Sequence, residues 1–232
     1  MTAELEYRNI QNPNDFGLPA VGTVLDNPIG EIPRNRYIGE PELEDRRNLE
    51  ATRIGYRLEH EFSPNWRVQN AFNAVFRREN SFTVSGGNVS ADGRTLSRFF
   101  FDGRAGFDIN FYTMDTYAVG NFSTGSIEHE LVAGLELFRE DSFSRDSSFS
   151  SITPIDLFNP VYGNAILTTT GNIDSEETIN GLGLYVQDQI RFSDNLILVL
   201  GGRFDLANVR SRDLLANTYD FQQNEAISPR VG

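Results

Sequence analysis

The sequence predicts an all-β fold: about eight long antiparallel strands running up and down as a partial, open and curved sheet of a transmembrane β-barrel. Three observations lead to this prediction. Apolar and polar residues alternate over long stretches, short corners and long polar segments follow one another along the 232 residues, and aromatic residues stand at the short corners. Helical spacing of apolar residues is scarce, so period-two strands are favoured.

The alternation can be followed strand by strand. A first strand is predicted from Glu4 to Ile10. Apolar residues then fall mainly on even positions in 54–62 and 66–76, and on odd positions in 99–111 and 127–137. The apolar positions change phase near Met114, which predicts a β-bulge or an irregular strand there.

The clearest hairpin is the stretch GLGLYVQDQIRFSDNLILVLGGRFD at residues 181–205. Its two alternating arms meet at Ser193-Asp194-Asn195, a typical tight turn. Similar corners follow Phe62 and Phe122, so that three Phe-Ser pairs open three short turns. If the strands run up and down, these short turns share one rim of the sheet.

The other connections are predicted to be long loops at the opposite rim. They are rich in Asn, Asp, Gly, Ser and Pro, and they cover roughly residues 10–47, 83–97, 145–177 and 213–225. Short turns on one side and long loops on the other are typical of outer-membrane barrels, which also carry a lipid-facing apolar band and aromatic girdles.

The apolar face of the strands is therefore predicted to contact lipid, and the opposite polar face to line a wet lumen. The residues predicted to face lipid are Leu58, Phe72, Leu135, Leu184, Val186 and Leu198. Asp188 shares the phase of this face and is the exception to its apolar character. A soluble β-sandwich, whose apolar face packs against a second sheet, is the alternative that the alternation leaves open.

Composition narrows the functional classes. The net charge of −13 and the sequence pI of about 4.6 argue against a nucleic-acid partner. Cysteine is missing, so no disulfide framework is possible. Residues 1–10 lack the features of a signal peptide, so an exported protein would contain this chain as one piece.

The sequence offers no catalytic or metal site. His60 and His129 each stand between glutamates that alternation turns to the other face, so both are predicted to be interfacial histidines. The acidic run at Glu40, Glu42, Glu44 and Asp45 lacks a calcium-loop pattern and is predicted to be a solvated loop. The prediction is a protein that is not an enzyme and holds no metal or cofactor.

Several stretches resemble the TonB-dependent siderophore receptors, in the order that this family shows. The hairpin at 183–205, the strand segments at 124–141 and 56–66, and the loop segments FGLPAVGTVLDNPIGEIPRNRYIGEPE (16–42) and DLFNPVYG (156–163) carry the resemblance. The loops are similar to those of the ferrichrome or hydroxamate branch. The resemblance implies that residues 1–232 are part of a barrel of about 22 strands, without its N-terminal plug and its C-terminal strands.

The function that this resemblance implies is an outer-membrane receptor for ferric siderophores of hydroxamate type, energised through TonB. The expected partners are the ferric siderophore, the TonB–ExbB–ExbD complex reached through the missing plug, and outer-membrane lipid. The ferric siderophore would be the transported ligand. Its expected contacts are Phe16, Phe82 and Phe149, at the end of the sheet opposite the Phe-Ser corners.

Two other functions remain open from the sequence. A passive porin-like channel would share the alternation and the loop asymmetry, without the ordered family motifs. A soluble extracellular binding module with a two-sheet core is the third reading.

Overall fold

The computed structural model describes residues 1–13, 17–43 and 46–232. Its eight strands are β1 (Thr2–Pro13), β2 (Arg46–Ser63), β3 (Trp66–Val89), β4 (Thr95–Thr124), β5 (Ile127–Asp156), β6 (Leu167–Ser193), β7 (Leu196–Asp213) and β8 (Thr218–Val231). They form a single antiparallel sheet in sequence order. The predicted up-and-down strands are confirmed, and a sandwich of two sheets is not what the chain forms.

The three Phe-Ser corners close tight turns at one rim, as predicted. Ser63 pairs with Trp66, Thr124 with Ile127, and Ser193 with Leu196. The aromatic side chains here are exposed: Phe62 by 67%, Trp66 by 43%, Phe122 by 37% and Phe192 by 44%. Exposed aromatic residues on one row are the expected girdle at a membrane interface.

Three of the four segments predicted to be loops are mainly strand, which corrects the prediction. The connections between strands shrink to residues 90–94, 157–166 and 214–217. The flanking Ser, Thr and Asn residues form extended hairpins, whose two faces meet water or loops and therefore show no apolar alternation. Only the predicted loop at 10–47 remains long, between β1 and β2.

The strand register identifies the two faces. All six residues predicted to face lipid lie on one face; Leu135 pairs with Leu184, and Phe72 pairs with Met114, for example. The other face carries the polar residues Arg53, Arg57, Arg67, Gln69, Asn73, Gln187 and Gln189. These are called the apolar face and the polar face below.

β4 shows no bulge at Met114, so that prediction is wrong. Pairing is continuous there, and the register shift lies between Asp102 and Phe107. The apparent change of phase has another cause: Phe107, Ile109 and Phe111 lie on the polar face, whereas Tyr112, Met114 and Ala118 lie on the apolar face. Near residue 112 the apolar residues of β4 therefore move from one face of the strand to the other, while the strand pairing continues without a bulge.

Asp188 has a partner on the apolar face. One carboxylate oxygen lies 2.8 Å from Nδ1 of His129, whose Nε2 lies 2.7 Å from the Thr124 hydroxyl. The His129 ring stacks on Phe122 at 4.8 Å, and Phe122 stacks on Trp66 at 6.5 Å. The pair thus lies beside the aromatic girdle, where a paired polar group costs less than in the apolar centre.

The buried core lies at the far end of the sheet, where the long loop covers the upper strands. One cluster joins Ile32 and Ile38 of the loop to Leu96, Ile155 and Leu157, and a second contains Val84, Phe100 and Ile152. No α-helix in the described residues is long and apolar enough to cross a membrane.

Candidate ligand-binding site

Phe82 and Phe149, the two predicted contact residues that the structure describes, lie at one end of the sheet but not on one face. Phe82 pairs with Asp102, and the neighbouring residue Phe101 pairs with Phe149. Successive residues of a strand point to opposite faces. Phe82 and Phe149 therefore lie on opposite sides of the sheet, both far from the Phe-Ser corners, while Phe16 lies outside the described residues.

Phe149 lies on the side that continues the polar face. Odd positions of β3 from Arg67 to Thr83 share one face because the β2–β3 register has no shift along this stretch. Thr83 pairs with Phe101, which places Phe101 and Phe149 on the lumenal side of the projecting hairpins. A residue here can contact a ligand that enters the lumen.

Phe99, Phe101 and Phe149 form an aromatic patch on this side. The Phe101 and Phe149 rings lie 5.0 Å apart at 41°, and Phe99 and Phe149 are 46% and 42% exposed. Glycines leave space for two of the rings: a β-carbon at Gly87 would lie 2.6 Å from the Phe99 ring, and one at Gly103 2.7 Å from the Phe101 ring. Rings seated against glycines are preorganised for contact.

A gap adjoins the patch. Gly171 pairs with Phe149, and a β-carbon there would meet no atom within 4 Å. The described register partners of the patch are uncharged, namely Thr83, Ser85, Ser151, Thr168 and Gly171. The Thr83 hydroxyl oxygen is buried and has no hydrogen-bond partner among the described residues. The patch offers ring faces and hydroxyl groups without charge.

Phe82, in contrast, is part of the packing beneath the long loop. It contacts the cluster of Val84, Phe100 and Ile152. The guanidinium groups of Arg46 and Arg104 lie 5.7 and 5.3 Å from its ring centre. Hydrogen bonds from Arg104 lower the pKa of Asp102, which holds this arginine in place. The structure gives Phe82 a stabilising role on the opposite side from the patch.

The long loop is fixed by a buried ion pair between Arg98 and Glu40. Their side chains are 2% and 1% exposed, with 3.3 Å between Nη2 and Oε2. Arg98 also donates to the carbonyl oxygens of Ile38, Gly39 and Thr153, at distances from 2.8 to 3.1 Å. The prediction of a solvated acidic run is wrong for Glu40, and Glu44 and Asp45 lie outside the described residues.

The same pair reaches the loop at 157–166, since Glu40 accepts a 2.6 Å hydrogen bond from the Gly163 amide. Arg36 donates to the carbonyls of Leu157 and Phe158 at 2.7 and 3.1 Å. At the start of this loop, the amides of Asn159 and Phe158 and the Arg94 side chain lower the pKa of Asp156. We call residues 17–43 and 157–166 the loop cap.

The cap packs on the side of the sheet that carries Phe82. A β-carbon at Gly86 would lie 3.3 Å from Ile38 of the cap, whereas one at Gly87 would meet Phe99. The different neighbours of these two adjacent positions show that the cap and the Phe99 ring lie on opposite faces of the sheet. The cap stabilises the hairpins from one side, and the patch on the other side stays exposed.

Below the patch, the polar face carries a hydrogen-bonded network. Arg203 bonds Glu136 at 3.0 Å and Asp205 at 2.8 Å, and its guanidinium passes over Gly183, where a β-carbon would lie 2.3 Å away. The Tyr185 hydroxyl donates to Asp115 at 3.0 Å. In the described residues no cluster of His, Asp and Glu could hold a metal ion. The geometry suits binding and passage through a polar lumen.

Sequence reasoning missed Phe99 and Phe101. Their signal was present in the run Phe99-Phe100-Phe101, in which successive rings face opposite sides, so that Phe99 and Phe101 share one side. Pairing of Phe101 with Phe149 depends on register across β4 and β5, and the register shift between Asp102 and Phe107 made it inaccessible to pattern counting.

Known proteins match nearly the whole length of this chain. The ferrioxamine B receptor of Salmonella typhimurium is 27% identical over 228 residues, which cover 97% of this chain and 31% of that protein. The metal-pseudopaline receptor CntO of Pseudomonas aeruginosa is 29% identical over 229 residues, 91% of this chain and 31% of its own length. The chain thus spans about a third of the length of these relatives.

A solved structure shows the same fold. The ferric-catecholate import receptor Fiu of Escherichia coli K12 matches with a TM-score of 0.67 and 15% identity, over 99% of this chain and 37% of that one. The family model for the TonB dependent receptor-like β-barrel matches residues 2–232. With the alternating faces, the aromatic girdle and the lumenal network, this match shows that the chain belongs to the TonB-dependent receptor family of outer-membrane β-barrels.

Proposed function

We propose that the protein takes up ferric siderophores of the hydroxamate type, and that the patch of Phe99, Phe101 and Phe149 contacts the chelate. The observation that supports this proposal is the character of the patch: three rings and several hydroxyl groups, with uncharged residues at every described position of its register rows. Aromatic rings supply apolar contact area, and hydroxyl groups supply hydrogen bonds.

The uncharged residues described in these rows favour a chelate whose iron centre is uncharged. Each hydroxamate group carries one negative charge, so a complete set around ferric iron leaves no net charge. Catecholate groups carry two each and leave a strongly negative complex. A buried anion needs cationic partners, and the rows of the patch supply Thr83, Ser85, Ser151 and Thr168 instead.

The chain would contribute one part of the receptor. Its strands form barrel wall, and its far end forms part of the external mouth. Release into the periplasm would require a plug domain and the TonB–ExbB–ExbD complex, which are partners of the proposed complete receptor. The iron would arrive as cargo in the chelate, with no resident cofactor.

The test is a titration of a complete receptor containing residues 1–232 with ferrioxamine B, a ferric hydroxamate, and with a ferric tricatecholate. Truncation of the exposed ring in Phe149→Ala removes one aromatic contact and should weaken hydroxamate binding by about 1 kcal/mol, roughly fivefold. The matched control is Phe82→Leu, on the opposite side of the sheet, which should leave the affinity unchanged.

Heat-modifiable gel migration confirms that each variant is folded. Equal affinity of wild type and Phe149→Ala would remove the patch from the site. Tighter binding of the catecholate than of the hydroxamate by the wild-type receptor would overturn the proposed ligand class.

A further inference from the structure

Gly171 lies within β6 beside the aromatic patch, at a position where the fold does not require a glycine. Its φ lies outside the left-handed region, so its backbone conformation suits any residue. A β-carbon there would meet no atom of the described residues within 4 Å. Glycine weakens the interior of a strand, and it often marks a place where a ligand or another backbone approaches closely.

Other glycines on the lumenal side make room for a ring of this chain. A β-carbon at Gly103 would lie 2.7 Å from the Phe101 ring. One at Gly134 would lie 2.6 Å from the Tyr185 ring. Because no side chain of the described residues occupies the space above Gly171, that space is available to a ligand.

The β-bulge next to Gly171 does not require a glycine either. The register shift between Phe149 and Ser150 leaves Thr170 as the extra residue of β6. A bulge needs glycine where its backbone is left-handed, and Gly171 does not have that conformation. The Thr170 hydroxyl donates a 3.2 Å hydrogen bond to the Phe149 carbonyl oxygen, which holds β6 against β5 beside the gap. The width of the gap is therefore fixed by the strand pairing.

Gly171 ends a row of residues that runs across four strands on the lumenal side. Thr83 pairs with Phe101, and Phe101 pairs with Phe149. Phe149 pairs in turn with Gly171. Neighbouring strands lie about 4.8 Å apart, so the β6 backbone at Gly171 directly adjoins the Phe149 ring. β7 pairs with β6 from Ser175 onward, so no strand of the described residues pairs with the β6 edge beside the gap.

The gap offers a ring edge on one side and the N–H and C=O groups of a free strand edge on the other. A chain of methylene and amide groups fits this combination, because methylenes pack against a ring and amides form hydrogen bonds with a strand edge. We infer that Gly171 is a specificity-determining residue: its missing side chain admits the amide-bearing chain that connects the hydroxamate groups of a linear chelate. This inference rests on the proposed uptake of ferric hydroxamates and deepens it.

The test compares two ferric hydroxamates in titrations of a complete receptor containing residues 1–232. Ferrioxamine B has chains that connect its hydroxamate groups, whereas ferric tris-acetohydroxamate, kept intact by excess acetohydroxamic acid, has the same iron centre without them. Gly171→Leu fills the gap and should weaken ferrioxamine B binding about tenfold or more, as overpacking of a fitted site does. Gly171→Ala should cause a smaller loss in the same direction. Ferric tris-acetohydroxamate should bind each receptor with nearly equal affinity.

The matched control is Gly202→Leu. A β-carbon at Gly202 would also meet no atom of the described residues within 4 Å, but this position lies on the apolar face. The control variant should therefore bind ferrioxamine B like wild type. Heat-modifiable gel migration verifies that each variant is folded.

The outcomes separate this inference from the proposed function. Equal ferrioxamine B affinity of wild type and Gly171→Leu overturns the inference and leaves the proposed function standing. An equal loss for both chelates also overturns it, because the variant would then disturb the aromatic patch itself. A wild-type receptor that binds neither ferric hydroxamate refutes the proposed function, and the inference with it.

Discussion

The buried pair of Arg98 and Glu40 should determine whether the loop cap stays closed. Replacing Arg98 with Met removes the cation and leaves the Glu40 carboxylate uncompensated, with its side chain only 1% exposed. The carbonyl oxygens of Ile38, Gly39 and Thr153 lose their donor at the same time. Breaking a buried pair by removing one partner costs about 3–5 kcal/mol.

This cost should appear in the opening of the cap rather than in unfolding of the strands, because the barrel ladder does not depend on Arg98. Hydrogen exchange of the amides in 17–43 and 157–166 measures it directly, and opening should become more than 100-fold easier at the lower limit of about 3 kcal/mol. Adding Glu40→Gln removes the stranded charge and should restore part of the protection.

The control is Arg94→Met, at the exposed ion pair with Asp156, where the Arg94 side chain is 47% exposed. An exposed pair contributes about 0–1 kcal/mol, so exchange in 17–43 should change little. Unchanged exchange in the Arg98→Met variant, with the protein still folded by gel migration, would refute the reasoning about the buried pair.

Three further predictions concern the strands and the cap. His129→Leu strands Asp188 on the lipid-facing side and should lower the free energy of unfolding in lipid vesicles by about 1–3 kcal/mol, while Asp188→Leu in that background should restore it; no recovery in the double variant contradicts the pairing. Leu184→Arg should cost about 2–4 kcal/mol in the same assay if the site lies near the midplane, and an unaltered free energy argues against lipid exposure there. The lowered pKa of Asp156 means that its carboxylate stabilises the cap above the ordinary aspartate value of 3.8, and that this contribution is lost as pH falls through the lower folded-state pKa. Proteolysis of 157–166 should therefore increase in acid for wild type, whereas Asp156→Asn should be cleaved more at pH 7 and lack this acid step; a variant cleaved like wild type at both pH values removes the role of Asp156.

The membrane-spanning part of the sheet was predictable because each strand there has one apolar and one polar face. Period-two alternation follows directly from strand geometry, and it placed Leu184 and Leu135 on the same face before register was known. The Phe-Ser corners were also predictable, because a tight turn is determined by a few consecutive residues.

The projecting hairpins were not predictable in the same way. Their strands carry Ser, Thr and Asn on both sides, since one side meets water and the other meets the cap, so alternation gives no signal. The partners that stabilise this region are distant in sequence: Arg98 and Glu40 are 58 residues apart, and Arg36 and Leu157 are 121 apart. Such pairs follow from register and loop packing, which pattern counting does not supply.

The candidate site was predicted in part. Phe149 came from the resemblance of the neighbouring DLFNP segment to a family loop, and register places it on the lumenal side. Phe82 came from its position at the top of β3, but the same register turns it toward the loop cap. Position along a strand could be inferred from sequence, whereas the face required the pairing of Phe101 with Phe149.

The most direct test of the proposed site is fluorescence quenching by a ferric hydroxamate, because bound ferric chelates quench a nearby indole. Trp replaces Phe149 in one complete receptor and Phe82 in another, with the native Trp66 present in both as a constant signal near the opposite rim. Titration with ferrioxamine B should quench the added fluorescence of the Phe149→Trp receptor and spare that of the Phe82→Trp receptor. Quenching at Phe82→Trp without quenching at Phe149→Trp would contradict the lumenal aromatic patch as the binding site.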